Sequence, residues 1–111
     1  MQFLILGYDG KDKDAPARRH AVRAKHIELG NKLMAEGNMW FGAALRDEEG
    51  NMIGSALFMN FKDRDELQKW LDIEPYVTSK VWEKVDIKLC SVRDPWLFSQ
   101  PKEYYEKYTT E

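Results

Sequence analysis

The chain has one cysteine, Cys90, so no disulfide can close within it. That usage fits a reducing compartment, and a cytoplasmic location is expected. An excess of charge of one sign is also missing: 17 basic residues stand against 19 acidic ones, a net charge of -2. With no basic cluster to grip phosphates, no nucleic-acid partner is expected. No apolar run approaches the ~20 residues needed to cross a bilayer, so no membrane partner is expected either. The opening MQFLILGYDGKD has no basic n-region and no A-x-A cleavage site, and does not read as a signal peptide. Several chemical motifs are absent from the sequence. It has no glycine-rich phosphate loop, no CxxC, no His/Cys cluster at metal-ligand spacing and no serine-hydrolase elbow. No metal and no cofactor are expected.

What is present fits one small domain of 111 residues. A domain of this size buries a limited core, and pairing with a second copy is a source of further burial, so a homodimer is expected. Residues 2–8 are nearly continuously apolar, the pattern of a strand buried on both faces. Residues 9–15 read as a loop, and Pro16 suits the first turn of a helix that runs to Glu36. Val22, His26, Leu29 and Leu33 form its apolar stripe, widened by Ile27 and Met34. Gly37-Asn38 stops it. A hairpin follows, 39–46 and 52–61, around the turn residues 47–51. Its second arm is apolar on both faces and reads as a central strand. Asp63 with Glu66 predicts the N-cap of a second helix, whose buried face holds Leu67, Trp70 and Leu71. Pro75 interrupts it, residues 76–83 read as a short helical stretch, and residues 84–90 as a last strand. The order β-α-β-β-α-β predicts an α+β, ferredoxin-like sandwich over residues 1–90. Residues 91–111 form an aromatic extension with Trp96, Phe98, Tyr104, Tyr105 and Tyr108. It is expected to cover part of an open sheet face or reach a second copy; a disordered tail is the other reading.

His26 is the most informative polar residue, because it sits on an apolar helix stripe. A buried imidazole needs partners for both nitrogens, which fits acid–base work or a core histidine bonded to backbone. His20 lies elsewhere around the helix axis and reads as a surface or helix-end residue. Arg19 and Arg23 share the side of His26, where two guanidinium groups can grip a carboxylate, or simply face solvent at the helix start. Ser55 is a lone hydroxyl in an apolar strand face. Gly42 and Gly54 are single glycines in strands, which often mark a bulge or a close backbone approach.

Three segments carry a resemblance. R-x-x-x-R-x-x-H-I-E-L (Arg19 to Leu29), I-G-S (Ile53 to Ser55) and W-L-D-I-E-P-Y-V-T-S-K-V-W-E-K-V-D-I-K (Trp70 to Lys88) are similar to the YCII-related family. The similarity covers residues 2–90 and leaves out the aromatic tail. It implies a dimeric α+β barrel, in which two ferredoxin-like sheets face each other, with a pocket between sheet and helices. It also implies a catalytic histidine with an acidic partner, matched here by His26 and Glu74. Related members include a dehalogenase of chlorinated muconolactones, and muconolactone isomerases share the barrel. The chain departs from the family pattern at three places. Glu74 stands for an aspartate before Pro-Tyr, Gly42-Ala43 for Gly-Pro, and Lys80 for a glycine.

Two functions follow. One is a cofactor-independent lyase, isomerase or dehalogenase-like enzyme acting on a small organic acid or lactone. In it His26 moves a proton, Glu74 orients the imidazole, Arg19 or Arg23 holds an anionic substrate, and Ser55 and Tyr76 contact it. The other is a non-catalytic module that binds a small ligand or serves as an accessory dimer. The general plan hosts many activities, so the fold alone does not choose between them.

Overall fold

The nearly unbroken apolar run at the start of the chain predicts a strand, and the computed structural model places it in a sheet with one covered face. It describes residues 1–94, 101 and 103. The elements are β1 (Gln2–Asp9), α1 (Ala15–Ala35), β2 (Met39–Arg46), β3 (Met52–Asn60), α2 (Arg64–Leu71), α3 (Pro75–Thr78) and β4 (Trp82–Cys90). The four strands form one antiparallel sheet in the order β2-β3-β1-β4. The helices pack on one face of it. This is the expected α+β ferredoxin-like arrangement, and β3 is indeed a central strand. The aromatic residues from Trp96 onward lie outside the described residues.

The covered face is built by register. Phe3 pairs with Met59 and Ile5 with Leu57, and all four are buried. Leu67, Trp70 and Leu71 of α2 close over them, with the Trp70 ring 5.9 Å from that of Phe61. Each such large apolar side chain contributes about 1.5–3 kcal/mol on burial. The opposite face of β1 differs from the sequence reading of a strand buried on both sides. Leu4 and Leu6 are only half-buried and Tyr8 is exposed. Phe58, paired with Leu4, and Phe41, paired with Phe58, extend this uncovered apolar surface. The sequence pattern registers an apolar face; it does not say whether that face is covered by the same chain.

The helix boundaries follow capping chemistry. Asp63 accepts the Glu66 N–H at 2.9 Å and starts α2. Gly37 ends α1 at φ 82°, a left-handed conformation that glycine adopts without a Cβ clash. There the Asn38 N–H reaches the Leu33 carbonyl at 2.8 Å and the Gly37 N–H that of Met34 at 3.1 Å, a Schellman stop. Along α1 the expected widening of the apolar stripe is absent: Ile27 and Met34 are 39% and 46% exposed. Ala15, Arg19 and Leu33 are the buried positions. The helical stretch expected over 76–83 is also shorter. Lys80 adopts φ 57° and turns the chain, so Trp82 and Glu83 already belong to β4.

Candidate functional site

The segment Glu74-Pro75-Tyr76 sets the site. Pro75 occupies the first turn of α3, where its missing N–H is harmless, and Glu74 is the N-cap. The Glu74 carboxylate is only 2% exposed. It accepts from the Tyr76 N–H at 3.2 Å, from Trp70 Nε1 at 3.2 Å and from His26 Nδ1. A buried carboxylate is tolerable because its oxygens are bonded in this way. Since a carboxylate only accepts, His26 carries a proton on Nδ1. Among the described residues His26 Nε2 has no hydrogen-bond partner. The imidazole lies flat on the Tyr76 ring, centroids 3.8 Å apart and planes 10° from parallel, with Trp82 edge-on at 6.1 Å. Burial pushes the Tyr76 phenol above its ordinary value. The histidine ring is thus fixed by a hydrogen-bonded carboxylate on one edge and an aromatic face beneath.

A second buried network lies beside the first. Asp9, at the end of β1, holds Arg19 of α1: Nη1 donates to both carboxylate oxygens at 2.9 Å. Arg19 Nη2 donates to the Gly54 carbonyl and to Ser55 Oγ, each at 3.2 Å. Trp82 Nε1 also donates to Ser55 Oγ at 3.2 Å. The Arg19 guanidinium sits 4.8 Å over the Tyr76 ring, so Tyr76 separates the two networks. Gly7 makes this possible. A Cβ there would come within 2.3 Å of the Trp82 indole, so only glycine lets that ring lie across β1 toward Ser55.

Between α1 and the β2–β3 side of the sheet is a cavity of about 230 Å³. Arg23, His26, Ser55 and Tyr76 line it together with apolar Ile27, Met34, Met39 and Leu57. A mostly apolar hollow with a few convergent polar groups is the usual form of a small-molecule site. The exposed Ile27 and Met34 are therefore wall residues of this cavity. A larger depression of about 440 Å³ lies between the end of α1 and α2. It is lined by Lys32, Lys62, Lys69, Glu36 and Glu66 and holds no buried polar pair, so the chemistry points to the smaller one.

The structure brings His26, Glu74, Ser55 and Tyr76 together, as the sequence reading grouped them. It separates the two arginines. Arg23 is exposed, lines the cavity and has no ion pair among the described residues. Arg19 is buried, tied to Asp9, and reaches the cavity only through Ser55. Gly54 marks a close backbone approach, its would-be Cβ lying 2.4 Å from the Gly7 carbonyl. Asp9, Trp70 and Trp82 have no site role in the sequence reading: Asp9 follows an apolar strand and falls in the loop 9–15, Trp70 reads as the buried face of the second helix, and Trp82 falls in the stretch 76–83 that reads as helical. No group of three or more His, Cys, Asp or Glu side chains suited to a metal ion occurs among the described residues. No helix among the described residues is long and apolar enough to cross a membrane.

Comparisons with known proteins bear on the fold and the family. Protein YciI of Escherichia coli O6:H1 is 27% identical over 94 residues, covering 79% of this chain and 94% of that protein. Protein YciI of Shigella flexneri matches to the same extent, 27% over 94 residues. Among solved structures, a 5-chloro-2-hydroxyhydroquinone dehydrochlorinase (TftG) from Burkholderia phenoliruptrix, in complex with 2,5-dihydroxybenzoquinone, superposes with a TM-score of 0.70. It is 21% identical and covers 82% of this chain and 94% of that one, a shared fold. The YCII-related domain matches residues 1–94, from β1 through the end of β4 and including both buried networks; the chain belongs to the YCII-related family.

Proposed function

We propose that this protein is a cofactor-independent enzyme acting on a small organic acid or lactone, by a lyase, isomerase or dehalogenase-like reaction at His26. The observation that carries the reading is the buried Glu74 on Nδ1, which leaves Nε2 unpaired in a residue that lines a cavity. In its neutral form such an imidazole offers one lone pair, at Nε2, as a general base. Glu74 fixes the tautomer and stabilises the imidazolium that forms, the base-plus-orienter logic of other acid–base sites. Nε2 takes a proton from the substrate. In an isomerisation it returns that proton to a neighbouring atom; in a dehydrohalogenation the halide departs with the electron pair of its own bond. Arg23, exposed at the cavity, supplies the positive charge for an anionic substrate. Tyr76 carries the imidazole on its face and adds a hydroxyl. The dehydrochlorinase named above, which shares the fold, holds a small oxygenated ring, and compounds of that size suit a hollow of this volume.

The working unit in this proposal is a homodimer. The uncovered face with Leu4, Leu6, Phe41 and Phe58 is contiguous apolar surface, and a second sheet laid on it would complete a barrel. The test uses the full chain and its His26→Ala variant. Both are offered 5-chloro-2-hydroxyhydroquinone and a panel of muconolactones, with chloride release and ultraviolet absorbance as readouts. Turnover by the parent chain and none by a folded His26→Ala supports the enzyme. Thermal stabilisation by these compounds without turnover supports the binding module instead. Sedimentation equilibrium reads the dimer, and a monomer at assay concentration removes it.

A further inference from the structure

The Ser55 hydroxyl has its oxygen accounted for and its proton not. A hydroxyl carries two acceptor lone pairs and one donor hydrogen. Ser55 Oγ accepts from Trp82 Nε1 and from Arg19 Nη2, each at 3.2 Å, so both lone pairs are engaged. No acceptor for its hydrogen occurs among the described residues. Ser55 is 2% exposed and lines the cavity that His26 lines. A buried donor left without an acceptor is costly, and the cavity is where an acceptor can arrive.

We propose that Ser55 is a fixed hydrogen-bond donor to an anionic or carbonyl oxygen of the ligand, so that this cavity selects small molecules carrying such an oxygen. The donor is preorganised from behind. Asp9 pins the Arg19 guanidinium through both carboxylate oxygens, and the Trp82 indole is seated over Gly7. Two N–H groups on one oxygen polarise its O–H bond, which strengthens donation to an oxyanion. The hydroxyl cannot turn to accept from the ligand without losing one of these bonds. A ligand that places only a donor there, such as a protonated amine, is therefore disfavoured. This deepens the proposed reaction, on which it rests for the role of His26: deprotonation beside a carbonyl or phenol leaves negative charge on oxygen, and Ser55 receives that charge.

The test needs no turnover. Para-nitrophenol and para-nitrotoluene differ in a hydroxyl against a methyl, and the phenolate of the former absorbs in the visible. Both are titrated against the full chain and against Ser55→Ala, Ser55→Thr and His26→Gln. The expected result is preference for nitrophenol, with the phenolate band persisting to lower pH in the bound state. Ser55→Ala lowers that preference roughly ten- to hundredfold, the usual weight of a hydrogen bond to a charged group. Ser55→Thr keeps the hydroxyl and restores it. If Ser55→Ala does not fold, Ser55→Cys, near in size and a weak donor, gives the same readout. Equal affinity of the parent chain for the two probes overturns the proposal. So does a Ser55→Ala protein that melts lower but keeps the preference, because Ser55 then serves only Arg19 and Trp82. A His26→Gln protein that retains the nitrophenol preference, in a chain that turns over nothing, removes the enzyme reading and leaves the donor in place.

Discussion

Removing the carboxylate of Glu74 should cost more stability than any single contact around it. Three donors lose their acceptor in Glu74→Ala: Trp70 Nε1, the Tyr76 N–H and His26 Nδ1. The site is 2% exposed, so water does not readily take the place of the oxygens. Each unsatisfied buried donor costs about 1–3 kcal/mol, offset in part because the carboxylate no longer has to be desolvated. Three such donors, less the desolvation no longer required, net ~3–5 kcal/mol. For a domain of this size that lowers the melting temperature by roughly 15 °C or more. Glu74→Gln separates charge from shape. Its amide oxygen can keep both bonds made by Oε1, to Tyr76 and His26, while the new amide nitrogen faces Trp70 Nε1, donor against donor, at 3.2 Å. One mismatch is worth about 1–3 kcal/mol. Urea unfolding followed by tryptophan fluorescence measures both variants. Nitrogen-15 spectra of labelled histidine should show the Nδ1–H tautomer of His26 kept in Glu74→Gln and lost in Glu74→Ala. A Glu74→Ala protein less than ~1 kcal/mol weaker than the parent would refute the reasoning. So would equal losses in the two variants, since the argument assigns them different numbers of orphaned donors.

Gly7→Ala places a methyl within 2.3 Å of the Trp82 indole; a loss of about 1–3 kcal/mol is expected, read by thermal melting, and an unchanged melting temperature contradicts the packing. For the buried Asp9–Arg19 pair, Arg19→Met alone strands Asp9 and should cost ~3–5 kcal/mol, whereas adding Asp9→Leu should recover part of it; additive losses in the double-mutant cycle would deny the coupling. Tyr76, whose phenol is pushed up by burial, contributes stability that is present below the ordinary tyrosine range and is lost as pH rises through its folded value. In a spectrophotometric titration it should ionise above the ordinary tyrosine range, and Tyr76→Phe should delete that high-pH step. The Arg18 hydrogen bond lowers Asp12 to about 2, so its modest, solvent-screened contribution holds above the usual carboxylate range and disappears as pH falls through that value; in Arg18→Ala the carboxyl should titrate near 3.8 by NMR.

The strand and helix order was legible because each element states its own period and stops. Residues Val22, His26, Leu29 and Leu33 give a helical spacing, Asp63 and Glu66 a cap, and Gly37 a terminus. The errors have physical causes. Residues 76–83 look helical because Pro75 suits a first helical turn and Val77 and Val81 stand four apart, yet Lys80 in a left-handed conformation reverses the chain after one turn. Ile27 and Met34 look like core because hydropathy does not distinguish a packed wall from the wall of a hollow. His26 and Glu74 were paired from the resemblance, since 48 residues separate them and no local pattern joins them. Asp9 escaped notice for a related reason. Its partner Arg19 is ten positions on, across a loop, and nothing in the spacing says that the two meet under a tyrosine ring.

That ring explains why the two networks occur as a pair. Tyr76 is 1% exposed and contacts both the His26 imidazole, at 3.8 Å, and the Arg19 guanidinium, at 4.8 Å. Each neighbour can carry positive charge, and each is anchored by its own buried carboxylate, Glu74 or Asp9. In the proposed reaction, moving a proton onto His26 therefore places charge on an aromatic ring that already carries a cation. Without Asp9 the guanidinium would raise the cost of forming the imidazolium; with it, Arg19 and Asp9 together present a nearly neutral unit. By this argument, if the proposed reaction holds, Asp9→Asn should impair its proton transfer at His26 although the two side chains belong to separate networks. Its effect should appear as a shift in the pH profile of turnover, with the melting temperature corrected for by the Arg19→Met background. An Asp9→Asn protein with an unshifted profile would mean that Tyr76 insulates the two sites, and that Asp9 serves the fold alone.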